Sequence, residues 1–577
     1  MKLALPSSLE NHYEMLRLLY TGCQVIHGNL EITHLQGTPD LSFLQGIVEV
    51  QGYVLIAHVS VAEIPLTNLR IIRGGRLYNS SYALAVLENT GIKELQLRSL
   101  TEILLGGVYI LGNPQLCYPQ QINWIDVLGK QQRNKEMKLT HLQPAAPYCE
   151  YNHNELVTHV QCMSGCQYCK GPQASDCCHD QCAAGCSGPK NSDCLACHNF
   201  NDSGTCKESC PLVMLYDIKT HQLIPNPNKK FIFGIICVKQ CPYNFLTTYS
   251  ACTRVCPKGN QEVITIHPDG KEMQKCEQCE GECPEVCYGL GMGNLQGVSA
   301  VNSSNIGFFQ GCKKIYGSLA FLPQSFKADP LTNLTSLQAA DLEVFRTLEE
   351  ITGYLYIDAW PENSGDLGVF ENLKVIRGRM LYKGVYLLGI QSLQIESLGL
   401  RSLRSVSGGL VLVHNNSRLC YTSSLPWSSL LYLSQEPNLI SNNNRDPQAC
   451  GKNGHVCDPL CKNGSCWGPG PSQCVSCVSY QRGKECVKEC NIRNGLVREF
   501  SDDLSCVPCH PECRPVNGSE SCSGPGPDQC VECLHFQDGD VCVERCPSGV
   551  KEDQHTVWKY SNESGHCIPC PNNCSVS

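Results

Sequence analysis

Residues 178–197 read CHDQCAAGCSGPKNSDCLAC. The same phrase, CxxxC…CxGPxxxxC…C, returns at 457–477 as CDPLCKNGSCWGPGPSQCVSC and at 509–533 as CHPECRPVNGSESCSGPGPDQCVEC. A unit of this kind has too few apolar residues to build a core of its own. Disulfides must supply the difference, at roughly 2–4 kcal/mol each. Zinc is the competing use of paired cysteines, but it gathers four ligands into one compact site, whereas here the cysteines run on at similar density through two long blocks. A redox CxxC enzyme needs one exposed reactive pair on a βα scaffold, which this density also opposes. The units therefore read as tandem disulfide modules made in an oxidising compartment, and the function is expected outside the cell.

Outward from these phrases, the 43 cysteines fall into two blocks. Residues 149–287 hold twenty and residues 450–574 hold nineteen, whereas residues 1–148 hold only Cys23 and Cys117 and residues 288–419 only Cys312. Each block follows a leucine-rich stretch, and the two halves align at an offset of about 300, as an internal duplication would. VQGYVLI at 50–56 answers ITGYLYI at 351–357, and NLRIIRG at 68–74 answers NLKVIRG at 372–378. LCY at 116–118 with Trp124 answers LCY at 419–421 with Trp427.

Within the first cysteine-poor unit, short apolar runs separated by Gly, Asn and Pro predict strands: GNLEITHL, GYVLIAHV, YALAVLEN, IKELQLRSL and GGVYILGN. One such strand cannot bury its apolar face, but stacked coils can, so the unit reads as a β-solenoid. Spacing is too irregular for a leucine-rich-repeat horseshoe. Helical pieces are expected at NHYEMLRLLY and at Trp124-Ile-Asp-Val-Leu.

Composition narrows the function. A net charge of −9 without charge runs gives no reason to expect nucleic acid as a partner. Asn-x-Ser/Thr sequons at Asn79, Asn201, Asn302, Asn333, Asn415, Asn463, Asn517, Asn562 and Asn573 fit a glycosylated product of the secretory pathway. The start, MKLALPSSLENHYEM, lacks the apolar core of a signal peptide, and no apolar run reaches about 18 residues. Because a disulfide framework requires export, the expectation is a piece of a longer protein. No GxSxG, HExxH or kinase HRD/DFG set is present. Gly289-x-Gly291-x-Gly293 lacks the strand–helix context and the following Lys of a phosphate loop, and reads as a turn. The chain is expected not to be an enzyme.

One stretch breaks the rhythm of the modules. PLVMLYDIKTHQLIPNPNKKFIFGII lies between Cys210 and Cys237 without a cysteine. Its Leu215, Tyr216, Leu223, Ile224, Phe231 and Phe233 around an Asn226-Pro227 turn predict a β-hairpin projecting from a thin rod; the competing reading is a larger loop folded on itself. Exposed apolar surface of this kind marks a protein partner site.

At these residues the chain resembles the extracellular region of the epidermal growth factor receptor (ErbB) family, over essentially its whole length. The strings EVQGYVLIAH, YALAVLEN, ELQLRSLTEIL, NPQLCY, VCYGLGM and GCKKIYGSLAFLP carry the resemblance, which is nearest to the Neu-type branch. It implies a multidomain, mainly β fold: two right-handed β-helix (L domain) solenoids alternating with two disulfide-rich furin-like rods. The implied domains are L domain I at 1–149, furin-like domain II at 150–286 with its first module missing, L domain III at 287–450, and a truncated domain IV at 451–577. The segment after Cys149, EYNHNELVTHVQ, lacks four cysteines usual in the family.

The resemblance further implies the pairs Cys117–Cys149, Cys210–Cys237, Cys287–Cys312 and Cys420–Cys450. Sixteen more pairs would lie within the rods, from Cys162–Cys169 to Cys546–Cys567, leaving Cys23, Cys570 and Cys574. It places a dimerisation arm on Tyr216, Asp217, His221, Asn226, Pro227, Phe231 and Phe233, with His221 where an aromatic residue is usual. Asp538, Gly539 and Lys559 match the domain IV side of the family's arm tether, with Val541 in place of a histidine. Neu-type receptors neither tether nor bind a ligand directly, on this resemblance. The implied role is that of a co-receptor at the cell surface, heterodimerising with sibling ErbB receptors to trigger tyrosine kinase signalling. The chain itself would need no metal and no cofactor; ATP and magnesium, like the membrane span, would belong to parts outside this sequence. A soluble, kinase-less decoy glycoprotein is the alternative reading.

Overall fold

The computed structural model describes residues 8–128, 141–147, 149, 162–331, 333–430, 438–552 and 555–571. The expected gap after Cys149, together with Asn573 and Cys574, lies outside the described residues. The chain divides into two compact units, Met1–Glu285 and Val286–Ser577.

The first unit begins with the helix Leu9–Tyr20, whose N-cap Ser8 side chain accepts a hydrogen bond from the Asn11 amide. Beyond it, parallel strands stack from coil to coil. Leu30–Thr33 pairs with Val54–Ala57, then Tyr82–Leu87, then Gly107–Leu111, then His141–Leu142. Ile32, Ile56, Val86 and Ile110 occupy the same place in this ladder, and all four are buried. A second, shorter parallel ladder joins Val25–Ile26, Glu49–Val50, Ile71–Ile72 and Glu102–Ile103. Each coil thus covers the apolar face of the one before, which is what a single strand could not do. The run IKELQLRSL differs from expectation: it forms no strand, and only Ile92 and Leu100 of it are buried. It connects the ladders, and its Lys93, Glu94, Gln96 and Arg98 are accordingly left outside the core. Helix Trp124–Val127 stands where expected.

The cysteine-rich rod is seated on the short ladder. Arg73 pairs with Glu49 at 2.5 Å and donates to the carbonyls of Cys197 (2.7 Å) and His198 (3.2 Å). Glu102 accepts from the Tyr168 hydroxyl at 2.5 Å and from the Ala184 amide at 2.8 Å. Ile71, Ala183 and Ala184 pack together beside these bonds. Buried charges are tolerated here because each has its hydrogen-bond partners.

The second unit repeats the plan. Leu319–Phe321, Leu355–Ile357, Tyr386–Gln391, Leu410–His414 and Leu439–Asn442 stack in parallel. Cys287–Tyr288, Lys314–Tyr316, Glu350–Ile351, Val375–Ile376 and Ser405–Val406 form the second ladder. Phe309, Phe321, Phe345 and Phe370 fill the core, edge-on or tilted to one another. Trp467, from the first module of the following rod, is buried in this core and meets Trp427 edge to face. Its carbonyl accepts from the Gly399 amide at 3.0 Å. Gly291 sits in a turn and Gly293 opens the short 3-10 helix Gly293–Leu295, both with positive φ (84° and 49°).

The disulfides at the L domains are Cys117–Cys149, Cys287–Cys312 and Cys420–Cys450. Within the first rod the bonds run from Cys162–Cys169 to Cys279–Cys283. In the second they run from Cys457–Cys466 to Cys546–Cys567. These are the pairs that the resemblance implies. Among the described residues, Cys23 and Cys570 are free.

Candidate functional site: an exposed hairpin on the first rod

The cysteine-free stretch after Cys210 forms a two-stranded antiparallel hairpin, Met214–Asp217 with Gln222–Pro225, that pairs with no other strand among the described residues. Its turn is Ile218–His221 and not Asn226-Pro227. Asp217 closes that turn: its carboxylate accepts from the Lys219 amide and from the Thr220 hydroxyl, both at 2.9 Å. The Lys219 amide, and then Thr220, hold this carboxyl below the usual carboxylate range. His221 has the left-handed backbone (φ 54°) that ends the turn, and its Nδ1 lies 3.0 Å from the Tyr216 hydroxyl.

Cross-strand partners share a face of a hairpin. Tyr216 therefore sits beside Leu223 on one face, and Leu215 beside Ile224 on the other. Neither face is covered: Tyr216 is 58% exposed, Leu223 64% and Ile218, at the turn, 77%. A hairpin with two bare apolar faces cannot hold itself together by burial. Its base does so. Asn226, which is buried, donates from its side chain to the Leu212 carbonyl (2.7 Å) and from its backbone to the Val213 carbonyl (2.8 Å). Its Oδ1 accepts from the Asn228 amide at 2.9 Å, so Asn226 and the exposed Pro227 form the clamp at the root of the arm.

Phe231 and Phe233 are not on the hairpin. They lie in Phe231–Phe233, at the edge of a four-stranded sheet with Ile236–Val238, Phe200–Asp202 and Thr205–Lys207, which the Cys210–Cys237 bond fastens to the arm's start. Phe233 packs on Phe245 (ring centroids 4.8 Å apart) and on His27 of the L domain (5.2 Å). Phe231 lies under the Lys229 ammonium, 5.7 Å from the ring centre. In the same sheet, the buried Asp202 pairs with Lys207 at 2.5 Å and with Lys230. Ile218 was not singled out in the sequence; the signal available was Asp217 followed by Thr220, an Asx-type turn that leaves the residue between them facing water.

In the second rod, Asp538 ends the strand Phe536–Asp538, Gly539 turns with φ 64°, and Lys559 donates to Asp538 at 2.6 Å. These two charges thus neutralise each other within the second rod, across two successive disulfide loops. The cluster Cys490, Glu499 and Cys506 has the spacing of metal ligands, but its cysteines are bonded to each other and Glu499 is engaged by Arg482. Of the sequons, Asn79, Asn333, Asn415, Asn463 and Asn517 are exposed, and Asn201, Asn302 and Asn562 are half-exposed. Among the described residues, no helix is long and apolar enough to cross a membrane.

Three family models match this chain. They are the receptor L domain at residues 22–128 and 311–431, the furin-like cysteine rich region at 129–288, and growth factor receptor domain IV at 456–577. Together with the doubled solenoid-and-rod plan, they define the class as a growth factor receptor ectodomain. The receptor tyrosine-protein kinase erbB-2 of Mus musculus is 51% identical and that of Rattus norvegicus 50%, each over the whole of this chain and 48% of the relative. The epidermal growth factor receptor of Gallus gallus is 43% identical over the whole of this chain and 84% of the relative. The chain belongs to the ErbB family and corresponds to its extracellular region. It spans about half the length of the erbB-2 relatives it matches.

Proposed function

We propose that this chain is the recognition part of a cell-surface receptor tyrosine kinase of the Neu type, and that it associates with sibling ErbB receptors through the hairpin Met214–Pro225. The observation that carries this reading is the pair of uncovered apolar faces on that hairpin, held rigid at the root by Asn226 and Cys210–Cys237. Preorganised apolar surface favours association because little conformational freedom is lost on contact. Tyr216 and Leu223 on one face, Leu215 and Ile224 on the other, and Ile218 at the tip are the contact residues. Phe233 supports the arm from its seat on the L domain instead of touching a partner. In the whole receptor, pairing of this kind would bring two kinase domains together, where ATP and magnesium act.

Support for the Neu-type assignment comes from the resemblance to erbB-2. The self-paired Asp538 and Lys559 fit a receptor whose arm is not tethered. Co-precipitation with sibling receptors from cells tests the reading. Replacing Tyr216 and Leu223 together by Ala should abolish it while leaving surface expression intact. Undiminished co-precipitation would reject the hairpin as the contact.

A further inference from the structure

Three imidazoles stand in file along one edge of the first L domain. His34 and His58 follow Leu30–Thr33 and Val54–Ala57 at the same place on successive coils, both with left-handed backbone (φ 55° and 56°). That shared geometry stacks their rings with centroids 5.3 Å apart. His12, from the helix Leu9–Tyr20, completes the file with its ring 6.2 Å from that of His34. Its Nε2 lies 2.7 Å from the Thr33 carbonyl, to which it donates, and so pins the helix to the first coil. His34 is almost wholly covered, while His58 is exposed.

The charged groups around the file are few. On the helix, Glu10 lies in the first turn, and Glu14 and Arg17 pair with each other at 2.8 Å. Asp40, before the turn Ser42–Gly46 that packs on the helix, accepts from the Ser42 amide. Glu31, on the first strand, accepts from the Tyr53 hydroxyl at 2.5 Å. Glu88 follows the next strand of the ladder beyond His58. Burial lowers the proton affinity of His12 and His34, and for His34 the imidazoles of His58 and His12 lower it further.

We infer that this file is an acid-sensitive latch: protonation sets like charges side by side and releases the helix Leu9–Tyr20 from the coil stack, while the remaining coils stay folded. The docked helix binds protons less readily than the undocked one. Docking is therefore at full strength above the ordinary histidine value of 6.5 and weakens as pH falls through the lowered values of the docked form. Histidine is the side chain suited to such a change between the cell surface and an acidified compartment.

Hydrogen–deuterium exchange of the whole chain tests this. Corrected for intrinsic rates, protection of the amides of residues 9–20 should fall at least about fivefold between about pH 7.5 and about pH 5.5, with Tyr82–Leu87 unchanged. His34→Asn, a residue that accepts the left-handed backbone, should cut that response to under about twofold. If His34→Asn does not fold, His58→Asn alters only an exposed ring and should at least halve the response. Equal protection of the helix at both pH values, or an undiminished acid response in the variant that folds, would overturn the latch.

Discussion

Phe233 rests its ring on that of His27, with centroids 5.2 Å apart, and so joins the root of the arm to the first L domain. Phe233 is also packed edge-on by Phe245. Truncating a fully buried phenylalanine costs about 3–5 kcal/mol; this one is half-buried, so Phe233→Ala should cost roughly 1–3 kcal/mol. Thermal denaturation should show the loss, and hydrogen exchange should place it in Phe231–Phe233 and Ile236–Val238. Association with a sibling receptor should fall only in proportion to the unfolded fraction.

Asp202 secures the same sheet through Lys207 and Lys230. Burial alone would raise its carboxyl, but the hydrogen bonds and charges of the two lysines outweigh burial and hold it below the ordinary value of 3.8. Its stabilising contribution is thus complete above that value and is lost only as pH falls through the lowered one. This contribution of Asp202 should not change between about pH 5 and 8, unlike the docking of the amino-terminal helix. Asp202→Asn should leave Lys230 without its charge partner and lower stability by about 1–3 kcal/mol, measured by denaturant unfolding.

Asp217 should matter to order and little to global stability. Asp217→Ala removes the acceptor for the Lys219 amide and the Thr220 hydroxyl. Faster exchange of the Lys219 amide, with an unchanged melting temperature, is the expected outcome.

Trp467 carries the second rod into the core of its L domain. Trp467 is 2% exposed and packed against Trp427, so Trp467→Ala should cost about 3–5 kcal/mol through the cavity it leaves. A lowered first transition in calorimetry, with the disulfides still formed, would register it.

Much of this architecture is legible in the chain itself. The alternation of cysteine-rich and cysteine-poor blocks marks the rods and solenoids, and the gap between Cys210 and Cys237 marks the arm. What local pattern misplaces is the turn. Asn226-Pro227 is a strong turn signal, yet it serves as the clamp at the root, because the Asp217 side chain, nearer the tip, closes the hairpin's own turn at Ile218–His221. IKELQLRSL has the composition of a strand, but it carries the chain between two ladders. The seating of Phe233 on His27 and of Trp467 in the second core depends on residues far apart in sequence, which no local reading reaches.

On the proposed function, Met214–Pro225 makes the partner contact while the rest of the rod presents it. The deciding measurement is the affinity of the purified chain for a ligand-bound sibling ectodomain, by surface plasmon resonance. Tyr216→Ser with Leu223→Ser should weaken binding at least about tenfold, as loss of central apolar anchors does, with disulfides and melting temperature unchanged. Equal affinity for the wild-type chain and this double variant would rule out the hairpin as the contact.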